Sequence, residues 1–454
     1  MSAQTQHQVS EFLADRHPFM PEERSERLEV CRAYGRRGIV KLVEVLFEAD
    51  YSDDEKCGAL ALIYGLLSTQ ELKVEAIDAE TVEAATALLA DAGSSPNTRA
   101  NAGFVLASLA LIMRGRDRLA AADSIGVIAD ACLDKNPGVA VAAAAAMANV
   151  AKFRDGWATV VGVTKAVPSL VKAMPTNPAV VGAIVPLTGL FFEGTDVVLR
   201  AGAMSRLVKL LREAETTLDK KCALQALRNL ANNDEGKDKA IQHGGIEAVV
   251  ERLGDEDADV RQLAAGALLT LCVALEAKQL FMDCGMEAVD AMCALLRDDA
   301  EHVRNNATAA IRCLSELPVA KAAFVRGLVH DLDLVQSVFG SSAAGPMCEL
   351  LAVRNADVRA SASAAMAAFC ATEAGANDVV NALHVVKRLT TVLADKSAEF
   401  KTHRAAAEAL RVLCTKYEDA RKVFAHLATT GDLAAGVRPQ MVSFPALSGF
   451  VVKK

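Results

Sequence analysis

Aromatic side chains make up only 4% of the 454 residues, although 52% of the residues are hydrophobic. Alanine and leucine, which are both good helix formers, supply much of the apolar content. This composition favours closely packed helices over a β-sandwich. An excess of basic charge is missing too, since the net charge is −8 and the pI is near 5.6. We therefore expect no nucleic-acid partner, because phosphate contacts need a basic face.

Membrane, secretion and catalytic signals are also missing. No run of about 18 apolar residues occurs, and the opening residues "MSAQTQHQVSEFLADRHPF" lack a basic segment followed by an apolar one. We expect neither a membrane span nor a secretory signal. The eleven cysteines include no C-x-x-C pair and are typical of small core residues in a reducing compartment. Without a phosphate loop, an H-E-x-x-H motif or calcium-loop spacing, we predict a protein that is not an enzyme and has no cofactor, metal site or small-molecule substrate.

The chain does contain a repeat. The stretch "KKCALQALRNLANNDEGKDKAIQHGGIEAVV", which begins at Lys220, returns 40 residues later as "VRQLAAGALLTLCVALEAKQLFMDCGMEAVD". With Leu227 as the register residue, successive equivalents are separated by 43, 41, 40, 40, 41, 43, 55 and 44 residues. The nine register residues are Ile63, Leu106, Met147, Leu187, Leu227, Leu268, Ile311, Met366 and Leu410.

Side chains around each register residue define one apolar helical face. An alanine stands four positions before all nine register residues, and an apolar residue stands three positions after each. Residues three and four apart share a helical face, so this face is predicted to be buried. The alanine lets a neighbouring helix approach closely, and a larger residue there would overpack the contact at a cost of about 1–3 kcal/mol.

The remainder of each unit predicts two further helices. A glycine turns the chain before the middle helix, as in "GGIEAVVERL", and an acidic turn such as "GDEDADVR" precedes the long third helix. Seven positions before the register residue a basic residue opens this helix in six units, with His403 in the last unit and Ala140 and Val180 in units three and four. Three helices in about 42 residues are the armadillo pattern.

The stretch "HGGIEAVVERLGDEDADVRQLAAGALLTLC" resembles a near-consensus armadillo unit. This resemblance implies an all-α armadillo-repeat solenoid, a right-handed superhelix of about nine three-helix repeats. We predict an N-terminal extension at 1–34, the armadillo array at 35–430 and an extended C-terminal tail at 431–454 that covers the last repeat or binds elsewhere.

Two places break the pattern. Pro186, Gly182 and Gly189 fall inside the third helix of the fourth unit, where proline removes a hydrogen bond and clashes with the preceding turn. We predict an irregular repeat near 175–195, with a kink or a change in superhelix pitch. The 55-residue interval contains an insertion near 327–345, which we interpret as a surface loop. A partner-docking element is the alternative, because the insertion carries Leu332, Leu334, Val335, Val338 and Phe339.

A binding surface is the remaining source of function. In peptide-binding armadillo proteins the third helix lines a groove, and an asparagine two positions after the register residue clamps the peptide backbone. The resemblance carries this role only to Asn149 and Asn229, and no unit has the accompanying groove tryptophan. Trp157, the single tryptophan, is expected to pack at a helix joint. Arg228, Arg312 and Arg411 could offer positive charge to an acidic partner, or they are ordinary exposed arginines.

A narrower resemblance concerns residues 32–326. The segment "CRAYGRRGIVKLVEVL", the later "VRQLAAGALLTLCVALEAKQLFMDCGMEAVDAMCALL" and "ELPVAKAAFV" resemble the radial spoke head protein 14 (rhabdoid tumour deletion region protein) family. That resemblance implies a non-catalytic component of the radial spoke of motile cilia and flagella, located in the cytoplasm at the axonemal cytoskeleton, with other radial spoke proteins as partners. A central-pair axonemal armadillo protein and a soluble armadillo peptide-binding adaptor are the alternatives.

Overall fold

The computed structural model describes residues 38–189, 192–339, 343–353, 355–371, 383–394 and 400–430. Every regular element in these ranges is a helix, so the prediction of an all-α solenoid is confirmed. The chain divides into two compact units, residues 1–248 and 249–454. The predicted extension at 1–34 and the predicted tail at 431–454 lie outside the described residues.

Unit one contains repeats of a first, a second and a third helix. Its first helices are Gln70–Asp78, Met113–Ala121, Arg154–Gly162, Phe192–Arg200 and Asp234–Gln242. Its second helices are 38–47, Thr81–Ala90, Ser124–Ala131, Ala166–Ala173 and Ala203–Glu213. Its third helices are Asp53–Leu66, Pro96–Leu109, Pro137–Ala151, Val181–Gly189 and Thr217–Leu230. The second helix of repeat six, Gly245–Val250, contains the boundary between the units.

Unit two continues the same order. Its first helices are Leu275–Asp283, Pro318–Leu328 and Glu418–Thr430, the last of which follows the ninth repeat. Its second helices are Met286–Leu295, Ala344–Leu350 and Leu383–Ala394. Its third helices are Ala258–Leu271, Glu301–Leu314, Ala356–Ala371 and Phe400–Lys416. One additional helix, Leu332–Phe339, stands between the first and second helices of repeat eight.

The third helices carry the core of each unit. All nine register residues, and all nine alanines four positions before them, have 0% relative exposure. Small residues set the spacing between repeats: a Cβ added to Gly103 would lie 2.9 Å from the Cβ of Ala142 on the next third helix. The periodic apolar face predicted from the sequence is therefore the buried side of these helices.

The turns between first and second helices need a left-handed residue. Gly202, Gly244 and Gly285 occupy it with φ of 79°, 73° and 88°, as the glycine in the repeat predicts. In repeats two and three, Glu80 and Asp123 stand at this place with φ of 64° and 51°. Left-handed backbone costs a residue with a Cβ about 1–2 kcal/mol, so these two turns are strained relative to the glycine turns.

In repeats two and eight, the basic residue at the start of the third helix donates a hydrogen bond to a backbone carbonyl at the end of the second helix. Arg99 donates from Nε to the carbonyl of Leu89 at 3.1 Å, and Arg359 donates from Nη1 to the carbonyl of Val353 at 3.1 Å. Repeat three has Ala140 at this place, and its helix end is satisfied from the next repeat. There Asn177, which is buried, donates from Nδ2 to the carbonyls of Cys132 at 3.5 Å and Ala140 at 2.8 Å. The amide thus replaces the missing guanidinium.

Repeat four has a shortened third helix. A 3₁₀ turn at Pro178–Val180 precedes the nine-residue helix Val181–Gly189, which contains Pro186. Trp157 donates from Nε1 to the carbonyl of Leu187 at 3.1 Å, close to the end of this helix. Trp157 therefore contributes to packing at the irregular repeat, while the predicted kink or change in superhelix pitch near 175–195 stays a prediction.

The insertion near 327–345 contains a helix in its described residues, 327–339 and 343–345, where the sequence predicted a surface loop. Residues Leu332–Phe339 form a helix in which Val335, Val338 and Phe339 are buried. This helix contacts Glu301–Leu314 and Pro318–Leu328. The loop interpretation is therefore wrong for residues 332–339, because they form a helix and three of the five apolar side chains that suggested a docking element are buried against the array.

Candidate protein-interaction surface

Asn149 and Asn229 both connect a third helix to the preceding one. Asn149 donates from Nδ2 to the carbonyl of Ala107 at 2.9 Å and accepts from Lys152 at Oδ1. Asn229 donates from Nδ2 to the carbonyl of Val185 at 3.2 Å and to Oγ1 of Thr188 at 3.3 Å. These amides hold neighbouring repeats together in the structure, and their role in peptide binding stays a prediction.

Sequence reasoning missed two further asparagines of the same kind. Asn101 donates from Nδ2 to the carbonyl of Cys57 at 3.3 Å, and Asn306 donates to the carbonyl of Gln262 at 3.0 Å. Both stand five positions before their register residue, and both acceptors stand six positions before theirs. The nearly equal offsets mean that consecutive third helices run parallel and almost in register. The sequence contained this signal, because an asparagine recurs five positions before the register residue in repeats two and seven.

The three candidate arginines differ in their surroundings. Arg312 donates from Nε to the carbonyl of Val338 at 3.1 Å and from Nη2 to that of Ser337 at 2.7 Å, so it satisfies the last turn of the inserted helix. Arg411 forms an exposed ion pair with Glu408 on its own helix at 2.5 Å. Arg228 is half-exposed, and within the described ranges its side chain has no hydrogen bond or ion pair. Of the three, only Arg411 pairs its charge with a carboxylate, whereas Arg312 donates to neutral carbonyl groups.

Charge is unevenly distributed along the third helices of unit one. No Asp, Glu, Lys or Arg occurs in residues 57–66, 100–109, 137–151 and 181–189, whereas the corresponding part of the fifth helix, residues 221–230, contains Lys221 and Arg228. The outward side of these uncharged segments carries Tyr64, which is 51% exposed, and Val141, which is 43% exposed. We call this surface the apolar trough and define it by its outward residues Ala61, Tyr64, Phe104, Val141, Ala145 and Val185.

The described part of the chain gives little evidence for a metal site, a membrane span or a reactive thiol. No group of three His, Cys, Asp or Glu side chains there could hold a metal ion. No helix among the same residues is both long enough and apolar enough to cross a bilayer. Burial raises the pKa of the Cys132 thiol to about 12 and that of Cys414 to about 11. These cysteines are therefore protonated at neutral pH and act as small core residues.

No protein-family model matches this chain, and no curated protein matches it significantly. Among solved structures it is similar to an engineered protein from the Northeast Structural Genomics Consortium, with a TM-score of 0.57 and 21% identity over 89% of this chain and 96% of that chain. It is also similar to computationally designed armadillo repeat proteins for modular peptide recognition, with a TM-score of 0.40 and 24% identity over 61% of this chain and 99% of that chain. A third similar structure is a designed armadillo repeat protein in complex with the peptide (KR)4, with a TM-score of 0.38 and 23% identity over 61% of this chain and 99% of that chain. The first likeness shows the fold, and the three-helix repeat itself makes this an armadillo-like repeat chain.

Proposed function

We propose that the protein is a non-catalytic scaffold that binds protein partners through the outward side of its third helices. The observation that carries this proposal is the apolar trough. Large apolar side chains such as Tyr64 and Val141 remain exposed there, although the repeat buries every register residue completely. Exposed apolar patches on an otherwise polar protein typically mark interaction surfaces.

We further place the scaffold in the radial spoke of motile cilia and flagella, at the axonemal cytoskeleton. Support for this role comes from the resemblance of residues 32–326 to the radial spoke head protein 14 family, through segments such as "CRAYGRRGIVKLVEVL". A stacked-helix array suits such a position, because each repeat adds surface and several partners can bind side by side.

Affinity purification from isolated axonemes, followed by mass spectrometry and by localisation of a tagged chain, tests this placement. The expected result is co-purification with other radial spoke proteins and a tag signal on the spokes. A tag signal on the central pair would favour the alternative central-pair protein. Recovery only with soluble complexes would favour an adaptor and would contradict the axonemal role.

A further inference from the structure

We propose that the inserted helix Leu332–Phe339 is a displaceable cover over a partner-binding site on repeat seven. The partner that fits this site is a helix with an acidic residue at its N-terminus and an apolar face. This inference rests on the proposed scaffold function and specifies one site, the chemistry of its partner and the element that regulates it. A helix that is permanently docked on the array is the alternative.

The inserted helix contacts the third helix of repeat seven, Glu301–Leu314, and is held from both ends of it. Arg297, which precedes this third helix, reaches the start of the inserted helix, and Arg312 in the last turn reaches its end. Arg312 stands one position after the register residue Ile311, as Tyr64 does in repeat one. The end of the inserted helix therefore lies at the outward side of the third helix, which is the side that we assign to partners.

Asp331 holds the start of the inserted helix. Its Oδ1 accepts a hydrogen bond from the backbone N–H of Leu334 at 3.2 Å, so this carboxylate caps the helix. Its Oδ2 accepts from Nε of Arg297 at 3.3 Å and from Nη2 at 2.9 Å. The Arg297 side chain is 50% exposed and that of Asp331 is 33% exposed, so water competes for this ion pair. Arg297 therefore recognises an acidic N-cap, which a partner helix can supply as well.

Arg312 holds the end of the inserted helix. It donates from Nε to the carbonyl of Val338 at 3.1 Å and from Nη2 to that of Ser337 at 2.7 Å. Every helix leaves such carbonyls without a partner in its last turn. Arg312 can therefore bind the end of a partner helix through the same hydrogen bonds that it makes to the inserted helix.

The inserted helix is stable only where it is docked. Val335, Val338 and Phe339 are buried, and their spacing places them on one helical face. Eight residues are too few for a helix that is stable by itself in water. A small apolar face and two polar contacts with exposed arginines therefore hold it, so it should open more easily than the third helices. A longer partner helix with the same pattern is already ordered and competes for the site.

The residue before the cap is linked to repeat eight. Nδ1 of His330 lies 2.7 Å from Oγ of Ser361, which belongs to the third helix Ala356–Ala371. This hydrogen bond lies outside the inserted helix and is not part of its contact with repeat seven. The inserted helix can therefore leave repeat seven while the chain before it stays attached to repeat eight.

A helical peptide added to the full-length chain tests the inference. The probe is the fluorescein-labelled segment "VHDLDLVQSVFG", which reproduces the inserted helix and its acidic cap. A hydrocarbon staple joins the positions of Asp333 and Ser337, which are one helical turn apart and both exposed in the structure. The staple keeps the probe helical without touching the side chains that are buried in the inserted helix.

Fluorescence anisotropy compares the affinity of the probe for the wild type and for the double variant Val335→Ser and Phe339→Ser. The inserted helix of this double variant has lost two of its buried apolar side chains, so its site should be open. Two further chains add Arg312→Gln or Arg228→Gln to the double variant. Arg228→Gln is the matched control, because Arg228 occupies the same place in repeat five.

The expected result is that the double variant binds the probe at least about tenfold more tightly than the wild type, because a larger fraction of its sites is open. Adding Arg312→Gln should lower this affinity at least about fivefold, because the bonds to the end of the probe are weakened. Adding Arg228→Gln should leave it unchanged. Equal affinities of the wild type and the double variant would overturn the inference, and so would equal effects of the two arginine substitutions.

Circular dichroism shows whether the double variant is folded. If it unfolds, hydrogen exchange of the wild type decides, since amides 332–339 should exchange through an opening that leaves Glu301–Leu314 protected. Exchange of both segments through one common unfolding step would overturn the inference. The axonemal purification is independent of these results. Recovery of spoke proteins by a chain that does not bind the probe would leave the scaffold function standing and reject only the displaceable cover.

Discussion

Arg261 and Asp298 form a two-bond ion pair between neighbouring repeats of unit two. The guanidinium donates from Nε to Oδ2 at 2.6 Å and from Nη2 to Oδ1 at 3.1 Å. Its third nitrogen, Nη1, donates to the carbonyls of Asp255 at 2.8 Å and Glu256 at 2.9 Å. The Arg261 side chain therefore donates to two backbone carbonyls in the acidic turn of repeat six and forms an ion pair with the acidic turn of repeat seven.

Replacing this guanidinium should destabilise unit two. We expect Arg261→Met to lower the free energy of unfolding by about 2–4 kcal/mol, because the nearly buried carboxylate of Asp298 loses its partner. Urea denaturation followed by circular dichroism measures the loss. Arg411→Met is the matched control, because its exposed pair with Glu408 should contribute less than about 1 kcal/mol. Equal losses in both variants would contradict the interpretation.

The same pair predicts a pH dependence. The hydrogen bond from Arg261 holds the pKa of Asp298 below its ordinary value, while the unfolded chain has an aspartate pKa of about 3.9. The pair therefore stabilises the fold fully above about pH 4, and this contribution is lost as the pH falls toward the lower folded pKa. The difference in unfolding free energy between wild type and Asp298→Asn should narrow below pH 4 in urea titrations. A difference that stays constant down to pH 3 would argue against it.

Glu80 should be replaceable by glycine with a gain in stability. Its φ of 64° is the conformation that Gly202 adopts elsewhere at φ of 79°. We expect Glu80→Gly to raise the free energy of unfolding by up to about 1 kcal/mol, and Gly202→Ala to lower it by about 1 kcal/mol. A Cβ at Gly202 would meet no atom within 4 Å, so the cost there is purely conformational. Thermal unfolding tests both variants, and Glu80→Ala, which keeps the strain, should show no gain.

Trp157 should matter for the irregular repeat four. Trp157→Phe removes the bond from Nε1 to the carbonyl of Leu187 and should cost about 1–2 kcal/mol. Hydrogen exchange should accelerate mainly in residues 181–189. Gly194→Ala should act at the same place, because its Cβ would lie 2.0 Å from the carbonyl oxygen of Leu187. Exchange that rises evenly through unit one in both variants would reject a local role.

Arg312 should control the order of the inserted helix. Arg312→Gln removes the positive charge at the last turn of Leu332–Phe339 and weakens its two carbonyl contacts, which should cost about 1 kcal/mol. We expect amide exchange in residues 332–339 to accelerate about fivefold, which is the factor that this energy gives. The matched control is Arg228→Gln, which occupies the same place in its repeat and should leave exchange unchanged. A similar effect of both variants would exclude the proposed cap.

Much of the fold was predictable because the same buried helical face recurs nine times in the sequence. Ala223 and Leu227 could be recognised as core residues since their equivalents recur at a constant helical offset, and the structure buries them completely. The glycine turns were predictable for a similar reason, because a left-handed turn selects glycine at Gly202, Gly244 and Gly285.

The surface was less predictable because polar side chains have alternative partners. The sequence pattern around Asn229 is the same whether its side chain binds a peptide or a carbonyl of the neighbouring helix. Only the three-dimensional structure distinguishes these two roles. The insertion at 332–339 was misread because one copy of a helix has no repeat to reveal its register. Asn177 takes the place of the basic residue that repeat three lacks. A pattern read within one repeat cannot reveal such a contact between repeats.

The lack of charge in residues 57–66, 100–109, 137–151 and 181–189 has a consequence for the kinetics of partner binding. These segments supply no charged group of their own to a ligand that lands there, so the dissociation rate should change less with ionic strength than the association rate, on which the net charge of −8 acts. Its affinity would come from removing apolar surface from water, with a negative heat-capacity change as the thermodynamic signature. The affinity of this contact would then depend more on temperature than on salt concentration.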